Sequence, residues 1–154
     1  MLSAAQEKCR AKSIALNLIQ IEDDADVDLS PHLPAFVKII TESPGPVLVH
    51  CRAGVSRSAS LVVGYLMWKD KISLDKALTQ VKKERSRAAP NVGFLRALVA
   101  WQKIAGGEDD PFDVDLQEKW TWRFPKATNA EMRKVWEESG GDAHGFCKNM
   151  CAKK

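Results

Sequence analysis

Short apolar runs and stretches of helical periodicity alternate along this chain of 154 residues. Residues 14–21 alternate as a strand does, and residues 47–50 continue a β-branched run that follows a breaker cluster at residues 43–46. From Ser58 onward, apolar side chains recur at helical spacing. The pattern predicts a strand, a short loop and a helix in direct succession near the middle of the chain.

Capping residues and periodicity predict five further helices. They cover residues 3–12, 31–42 with Ser30 as N-cap, 74–86 with Ser73 as N-cap, 90–104, and 128–139, where Thr128 and Glu131 form a capping box. Residues 119–124, with two alternating tryptophans, are a candidate third strand. These elements predict an α/β fold within residues 1–105, a small and mostly parallel sheet flanked by helices. Residues 106–154 are predicted to be a linker and a C-terminal extension of unknown role.

Composition is that of an ordinary globular protein, with 45% apolar and 28% charged residues. A net charge of +3 is too small to predict nucleic-acid binding, and the longest apolar run, residues 61–68, is too short to span a membrane. The first residues contain no apolar signal-peptide segment. We expect an intracellular protein, cytoplasmic or nuclear, whose four cysteines are thiols. Its oligomeric state is not defined by these features.

The predicted loop between strand and helix carries a thiol at its start and a guanidinium group at its end. The backbone N–H groups of such a loop, together with the following helix N-terminus, form an anion site. This site should lower the pKa of Cys51 and generate a thiolate, while Arg57 offers a planar fork that matches a phosphate group. Gly54 permits close approach of the backbone, and Ser58 places a hydroxyl group where it can donate to the sulfur.

The implied reaction is in-line attack of the Cys51 thiolate on a phosphate ester, through a phosphocysteine that water hydrolyses. We expect no metal and no cofactor, because the loop itself supplies the charge stabilisation. The residues expected to bind the phosphate group are those of the loop: Arg52, Ala53, Gly54, Val55, Ser56 and Arg57.

The string from His50 to Ser58 resembles the signature of the cysteine-dependent protein phosphatases, and its Ala-Gly-x-Ser-Arg-Ser form resembles their dual-specificity branch. The resemblance covers roughly residues 14–104 and implies a protein-tyrosine-phosphatase-like fold, here without the family's strands that precede Ile14. It also implies hydrolysis of phosphotyrosine and of phosphoserine or phosphothreonine in a phosphoprotein substrate. In the same family, positions matching His50 and Asn91 support the loop.

A general acid must come from outside this loop, which contains no group able to protonate the leaving oxygen. The acidic stretch at residues 22–28 provides the candidates. A calcium loop is excluded there, because the glycine and the glutamate that it requires are missing. Similarity to the family's apolar-x-apolar-x-Asp segment implies Asp23 as the acid, while Asp24 and Asp26 remain alternatives.

Two other functions stay open at the level of the sequence. One is phosphatase action on a lipid or nucleotide phosphate, although only Arg52 provides the extra basic charge that lipid phosphatases often carry in the loop. The other is phosphate binding without turnover, if the missing strands misplace the acid loop. Arg85 and Arg87 are interpreted as solvated arginines, with contact to a second substrate phosphate as the alternative.

Overall fold

The computed structural model describes residues 4–107 and 110–152, and this part of the chain contains eight helices. Their bounds are α1 Ala4–Ala11, α2 His32–Glu42, α3 Arg57–Asp70, α4 Leu74–Glu84, α5 Val92–Ala105, α6 Val114–Trp120, α7 Asn129–Glu138 and α8 Ala143–Ala152. None of the helices so described is long and apolar enough to cross a membrane. Residue 3 of the predicted first helix and residues 108–109 of the predicted linker lie outside the described residues.

The prediction of an α/β fold is wrong, since the described residues contain no strand and no sheet. A strand requires backbone hydrogen bonds to a neighbouring strand. Residues 14–21 and 46–50 lie outside the helices, but no backbone hydrogen bond between them is found in the described part of the chain. The candidate strand at residues 119–124 is also wrong, because α6 continues to Trp120 and a turn follows.

The capping signals at Ser73 and Thr128 are confirmed, whereas the predicted N-cap at Ser30 is wrong. The Ser73 hydroxyl accepts a hydrogen bond from Lys76 N at the start of α4, and the capping box of Thr128 and Glu131 is complete at α7. Helix α2 has Pro31 as its N-cap and therefore begins one residue later than predicted. Helices α6 and α8 were not predicted from the sequence.

Helix α3 lies at the centre of the first core, where it packs against α2, α4 and α5. Its Val63 and Met67 side chains are fully buried, as are Leu33 of α2 and Leu98 of α5. Gly64 allows α2 to approach closely, since a Cβ atom there would lie 2.4 Å from Leu33 Cδ2. This packing fixes the helix that follows the predicted phosphate-binding loop.

Helices α6, α7 and α8, which we call the C-terminal bundle, enclose a second core around Phe146. The centroid of its ring lies 4.8 Å from Trp120, 5.8 Å from Phe124 and 5.5 Å from Trp136. Aromatic pairs at these separations add to the stabilisation from burial itself. Residues 106–154, predicted to be an extension, thus include an apolar cluster of their own.

Polar contacts from α4 join the bundle to the first core. The carboxylate of Asp75, which is nearly buried, accepts hydrogen bonds from Asn129 N at 2.7 Å and Ala130 N at 3.1 Å. Lys82 Nζ donates to Thr121 Oγ1 at 3.0 Å. Burial lowers the pKa of Lys82, and the nearby charge of Asp75 partly opposes this. Helix α4 therefore packs into the first core through apolar side chains and is hydrogen-bonded to the chain around α6 and α7.

Candidate active site

The predicted loop, residues 51–57 and called the phosphate loop below, turns from the segment at residues 46–50 into the first turn of α3. Gly54 has φ of +62°, in the left-handed region that favours glycine. Ser56 is the N-cap of α3, and its carbonyl oxygen accepts hydrogen bonds at 2.8 Å from both the backbone N–H and the hydroxyl group of Ser60. The end of the loop is therefore firmly joined to the buried helix.

The Cys51 sulfur lies inside this turn and accepts hydrogen bonds at 3.2 Å from Gly54 N and from Ser58 Oγ. Partial burial raises the pKa of the Cys51 thiol. Hydrogen bonds from the side chain and backbone of Ser58, with those from the backbone of Gly54 and Val55, outweigh burial and lower the pKa from an ordinary 9.0 to about 7. The thiolate, which is the form that acts as a nucleophile, is therefore far more populated at neutral pH than in an ordinary cysteine.

A second stretch of chain, residues 85–91 between α4 and α5, contacts the outer side of the loop; we call it the bracing segment. Ala89 N donates to the Val55 carbonyl at 2.9 Å, and Asn91 N donates to Ser56 Oγ at 3.1 Å. Arg85 donates from Nη2 to the Ala53 carbonyl at 2.9 Å, and from Nε to the Gly54 carbonyl. The loop is thus bonded on one side by its own helix and on the other by this segment.

The guanidinium group of Arg57 points toward the acidic loop. Its Nη1 donates to the Ile21 carbonyl at 3.3 Å, and its Nε lies 3.6 Å from Asp23 Oδ2. Arg57 Nε is buried and makes no hydrogen bond within the described part of the chain. A phosphoryl oxygen entering the loop would supply the acceptor that this donor lacks.

The three candidate acids differ in their surroundings. Asp23 lies beside Arg57, and its Oδ1 accepts a hydrogen bond from Asn91 Nδ2 at 3.1 Å. Asp24 instead closes a local turn, with its Oδ1 accepting from Asp26 N at 2.9 Å. Asn91 Nδ2 also donates to the Asp24 carbonyl at 3.3 Å, so a single amide holds the acidic loop at two points.

The acidic loop also packs directly on the start of α5. A Cβ atom added at Gly93 would lie 1.9 Å from the Ala25 carbonyl oxygen, which no side chain could accommodate without moving the loop. Asn91 caps the same helix, its Oδ1 accepting from Phe94 N at 2.9 Å. One turn of chain therefore contacts the phosphate loop, the acidic loop and the first core.

The remaining predicted site residues are more peripheral. His50 is exposed, with Nδ1 3.5 Å from the Cys51 carbonyl oxygen, and Arg52 is exposed on the loop. Arg85 is the site residue that the sequence interpretation missed. Nothing in the sequence separates it from Arg87 two positions later, since its contacts reach across 31 and 32 residues of chain.

Comparisons with known proteins match most of the chain, including the phosphate loop. A family described as "Dual specificity phosphatase, catalytic domain" matches residues 2–104, so the match ends before the C-terminal bundle. Dual specificity protein phosphatase 1 of Arabidopsis thaliana is 40% identical over 98 residues, which are 62% of this chain and 50% of that protein. Dual specificity protein phosphatase 5 of Homo sapiens is 37% identical over 87 residues, which are 54% of this chain and 23% of that protein.

Among solved structures, the phosphatase domain of Yvh1 from Chaetomium thermophilum is similar at 31% identity with a TM-score of 0.55. The similarity covers 72% of this chain and 77% of that one. The chain spans half or less of the length of the two curated relatives above.

Proposed function

Because the chain belongs to the family of dual specificity phosphatase catalytic domains, we propose that it hydrolyses phosphotyrosine and phosphoserine or phosphothreonine in proteins. One observation carries the proposal: the Cys51 sulfur accepts hydrogen bonds from Gly54 N and Ser58 Oγ, with a pKa lowered to about 7. A thiolate inside a ring of backbone donors can both attack a phosphorus atom and have the phosphoryl oxygens bound around it.

In the first step, the Cys51 sulfur forms a bond to phosphorus while the bond from phosphorus to the ester oxygen breaks. The backbone N–H groups of the loop and the Arg57 guanidinium stabilise the charge on the three equatorial oxygens. Asp23 donates its proton to the departing oxygen, so the side chain of the substrate leaves as a neutral alcohol or phenol. The position of the Asp23 carboxyl group, with Oδ2 3.6 Å from Arg57 Nε, supports this choice of acid.

In the second step, water attacks the phosphocysteine and inorganic phosphate is released. The Asp23 carboxylate accepts a proton from the attacking water, which restores the acid. The bond from sulfur to phosphorus breaks, and the Ser58 hydroxyl stabilises the departing thiolate through the hydrogen bond that it makes to the sulfur at 3.2 Å. Neither step changes an oxidation state.

Hydrolysis of p-nitrophenyl phosphate by the purified chain tests the proposal. Cys51→Ser should abolish turnover but retain binding of a phosphotyrosine peptide, because the loop donors remain. Cys151→Ser, which changes an exposed thiol on α8, is the matched control and should leave turnover unchanged. Turnover that survives in Cys51→Ser would exclude the mechanism. Peptide binding by an unaltered chain that shows no turnover would favour a phosphate-binding module instead.

The assignment of the acid has its own test. Asp23→Asn should slow hydrolysis of an aryl phosphate with a basic leaving group by about 10²- to 10⁴-fold. The loss should shrink for a fluorinated aryl phosphate, whose phenol needs no proton to leave. Asp24→Asn and Asp26→Asn are the controls and should show no dependence on the leaving group. If Asp24→Asn shows that dependence and Asp23→Asn does not, the acid is Asp24.

A further inference from the structure

The guanidinium group of Arg85 lies on the outer face of the phosphate loop. Arg85 is the C-cap residue of α4, and it donates from Nη2 to the Ala53 carbonyl at 2.9 Å and from Nε to the Gly54 carbonyl. A Cβ atom at Gly54 would lie 2.8 Å from Nη2, so the guanidinium covers the one residue of the loop that lacks a side chain. Arg85 therefore contacts two successive carbonyl groups with a single planar fork.

Each of these carbonyl groups shares a peptide unit with an N–H group that faces the Cys51 sulfur. In a planar trans peptide, the C=O and N–H bonds point in opposite directions. The Ala53 carbonyl belongs to the same unit as Gly54 N, which donates to Cys51 Sγ at 3.2 Å. The Gly54 carbonyl belongs to the same unit as Val55 N, whose hydrogen bond also lowers the pKa of Cys51. Holding the carbonyls outward therefore directs the N–H groups inward.

The next peptide unit, between Val55 and Ser56, is also oriented through its carbonyl group, but here the donor is a backbone N–H. The Val55 carbonyl accepts from Ala89 N at 2.9 Å, which orients the unit containing Ser56 N. Ala89 and Arg85 both belong to the bracing segment, so one stretch of chain fixes three successive peptide units. The first two of these peptide units are held by the Arg85 side chain, and the third is held by a backbone N–H group.

We propose that Arg85 is a positioning residue, which orients the peptide units of Gly54 and Val55 so that their N–H groups point at the Cys51 sulfur and at a bound phosphoryl group. Its importance for catalysis rests on the proposed phosphatase function. Arg85 acts differently from Arg57, because the two hydrogen bonds described for it go to loop carbonyls rather than toward the sulfur.

Removal of the guanidinium should loosen the loop at its weakest point. The unit on either side of Gly54 can rotate most easily, because glycine has access to both signs of φ. Rotation would turn N–H groups away from the sulfur and remove two of the interactions that lower its pKa. The pKa of Cys51 should then rise from about 7 toward its ordinary value.

The rate of Cys51 alkylation by iodoacetamide, measured from pH 5 to pH 10, reports this pKa without any turnover. The unaltered chain should give a midpoint near pH 7. In Arg85→Ala, we expect a midpoint about one unit higher and therefore about tenfold slower alkylation at pH 6. Arg85→Lys should fall between the two, since an ammonium group can reach only one carbonyl well. Guanidinium ion added to Arg85→Ala should move the midpoint back toward pH 7.

Arg87→Ala removes the same charge from an exposed position in the same segment and is the matched control, with an expected midpoint unchanged from pH 7. Circular dichroism shows whether each variant is folded. If Arg85→Ala is unfolded, the midpoint of Arg85→Lys is compared with that of the unaltered chain instead. Equal midpoints for the unaltered chain and both Arg85 variants would overturn the positioning role. If the Arg85 variants shift the midpoint of alkylation but the unaltered chain hydrolyses no phosphate ester, the positioning role is supported and the proposed function is refuted.

Discussion

The chain on the two sides of the phosphate loop is held in different ways. On the entering side, residues 46–50 belong to no helix or strand, and Val47 and Leu48 are 41% and 85% exposed. On the leaving side, Ser58 and Ser60 are buried in the first turns of α3, where hydrogen bonds join them to the loop. We call these the open side and the braced side, and we include the bracing segment in the latter.

The difference shows what keeps the loop in shape. The described contacts that orient its peptide units come from α3 and from the bracing segment, whereas the open side contributes mainly Val49, which packs against the first core. A groove of about 510 Å³ lies between Val49, α3 and α4. Local backbone contacts can therefore hold the loop in shape although the preceding segment has no sheet partner within residues 4–107 and 110–152.

Arg57→Lys should have the largest effect on the braced side. A lysine cannot make the two-pronged contact of the guanidinium, so we expect about 10³-fold slower hydrolysis of p-nitrophenyl phosphate. Steady-state kinetics measure the effect, with Arg133→Lys on α7, in the C-terminal bundle, as the control. Turnover within tenfold of the unaltered chain would show that Arg57 does not bind the transferring group.

Gly93→Ala should have the second-largest effect on hydrolysis. Its Cβ atom would lie 1.9 Å from the Ala25 carbonyl oxygen, so the acidic loop must move away from the phosphate loop. We expect about 10²-fold slower hydrolysis of esters with basic leaving groups and an unchanged alkylation rate of Cys51. Gly45→Ala is the control, since a Cβ there meets nothing within 4 Å. Equal losses on good and poor leaving groups would contradict the expected displacement of the acid.

Ser58→Ala should have a smaller effect on the braced side. Loss of the hydroxyl donor removes the strongest hydrogen bond that lowers the pKa of Cys51, so this pKa should rise above about 7. Because a higher pKa leaves less thiolate below neutrality, alkylation at pH 6 should slow by about tenfold and converge with the unaltered chain at pH 10. Ser43→Ala, at the end of α2, is the control. An unshifted midpoint would mean that the hydroxyl does not donate to the sulfur.

Leu48→Ser, on the open side, should have the smallest effect. Its side chain is 85% exposed, so we expect a change of less than about 0.5 kcal/mol in the free energy of unfolding. Val49→Ser is the comparison, expected to cost about 1–2 kcal/mol because Val49 packs against the core. Urea denaturation measures both. Equal costs would show that Leu48 is covered in solution and that the open side is not open.

Much of the candidate site could be predicted because it is local in the chain. Cys51 and Ser58 are seven residues apart, and a loop that enters a helix brings such positions together whatever surrounds it. The caps at Ser73 and Thr128 are equally local, since each side chain accepts a hydrogen bond from a backbone N–H three residues later. The prediction that Asp23 is the general acid had another basis, because it came from resemblance to a family and not from the spacing of residues.

The sequence by itself therefore determined the helices with strong caps and the group of residues around Cys51, whose sulfur accepts its hydrogen bonds from donors at most seven residues later in the chain. Only the tertiary structure decided that residues 14–21 and 46–50 do not pair, because strand formation depends on a distant partner that local pattern does not reveal. It also decided that Asn91 contacts Asp23 across 68 residues, and that Arg85 rather than Arg87 bonds the loop. Such contacts depend on how α4 and α5 pack against α3, and this packing is a property of the whole core.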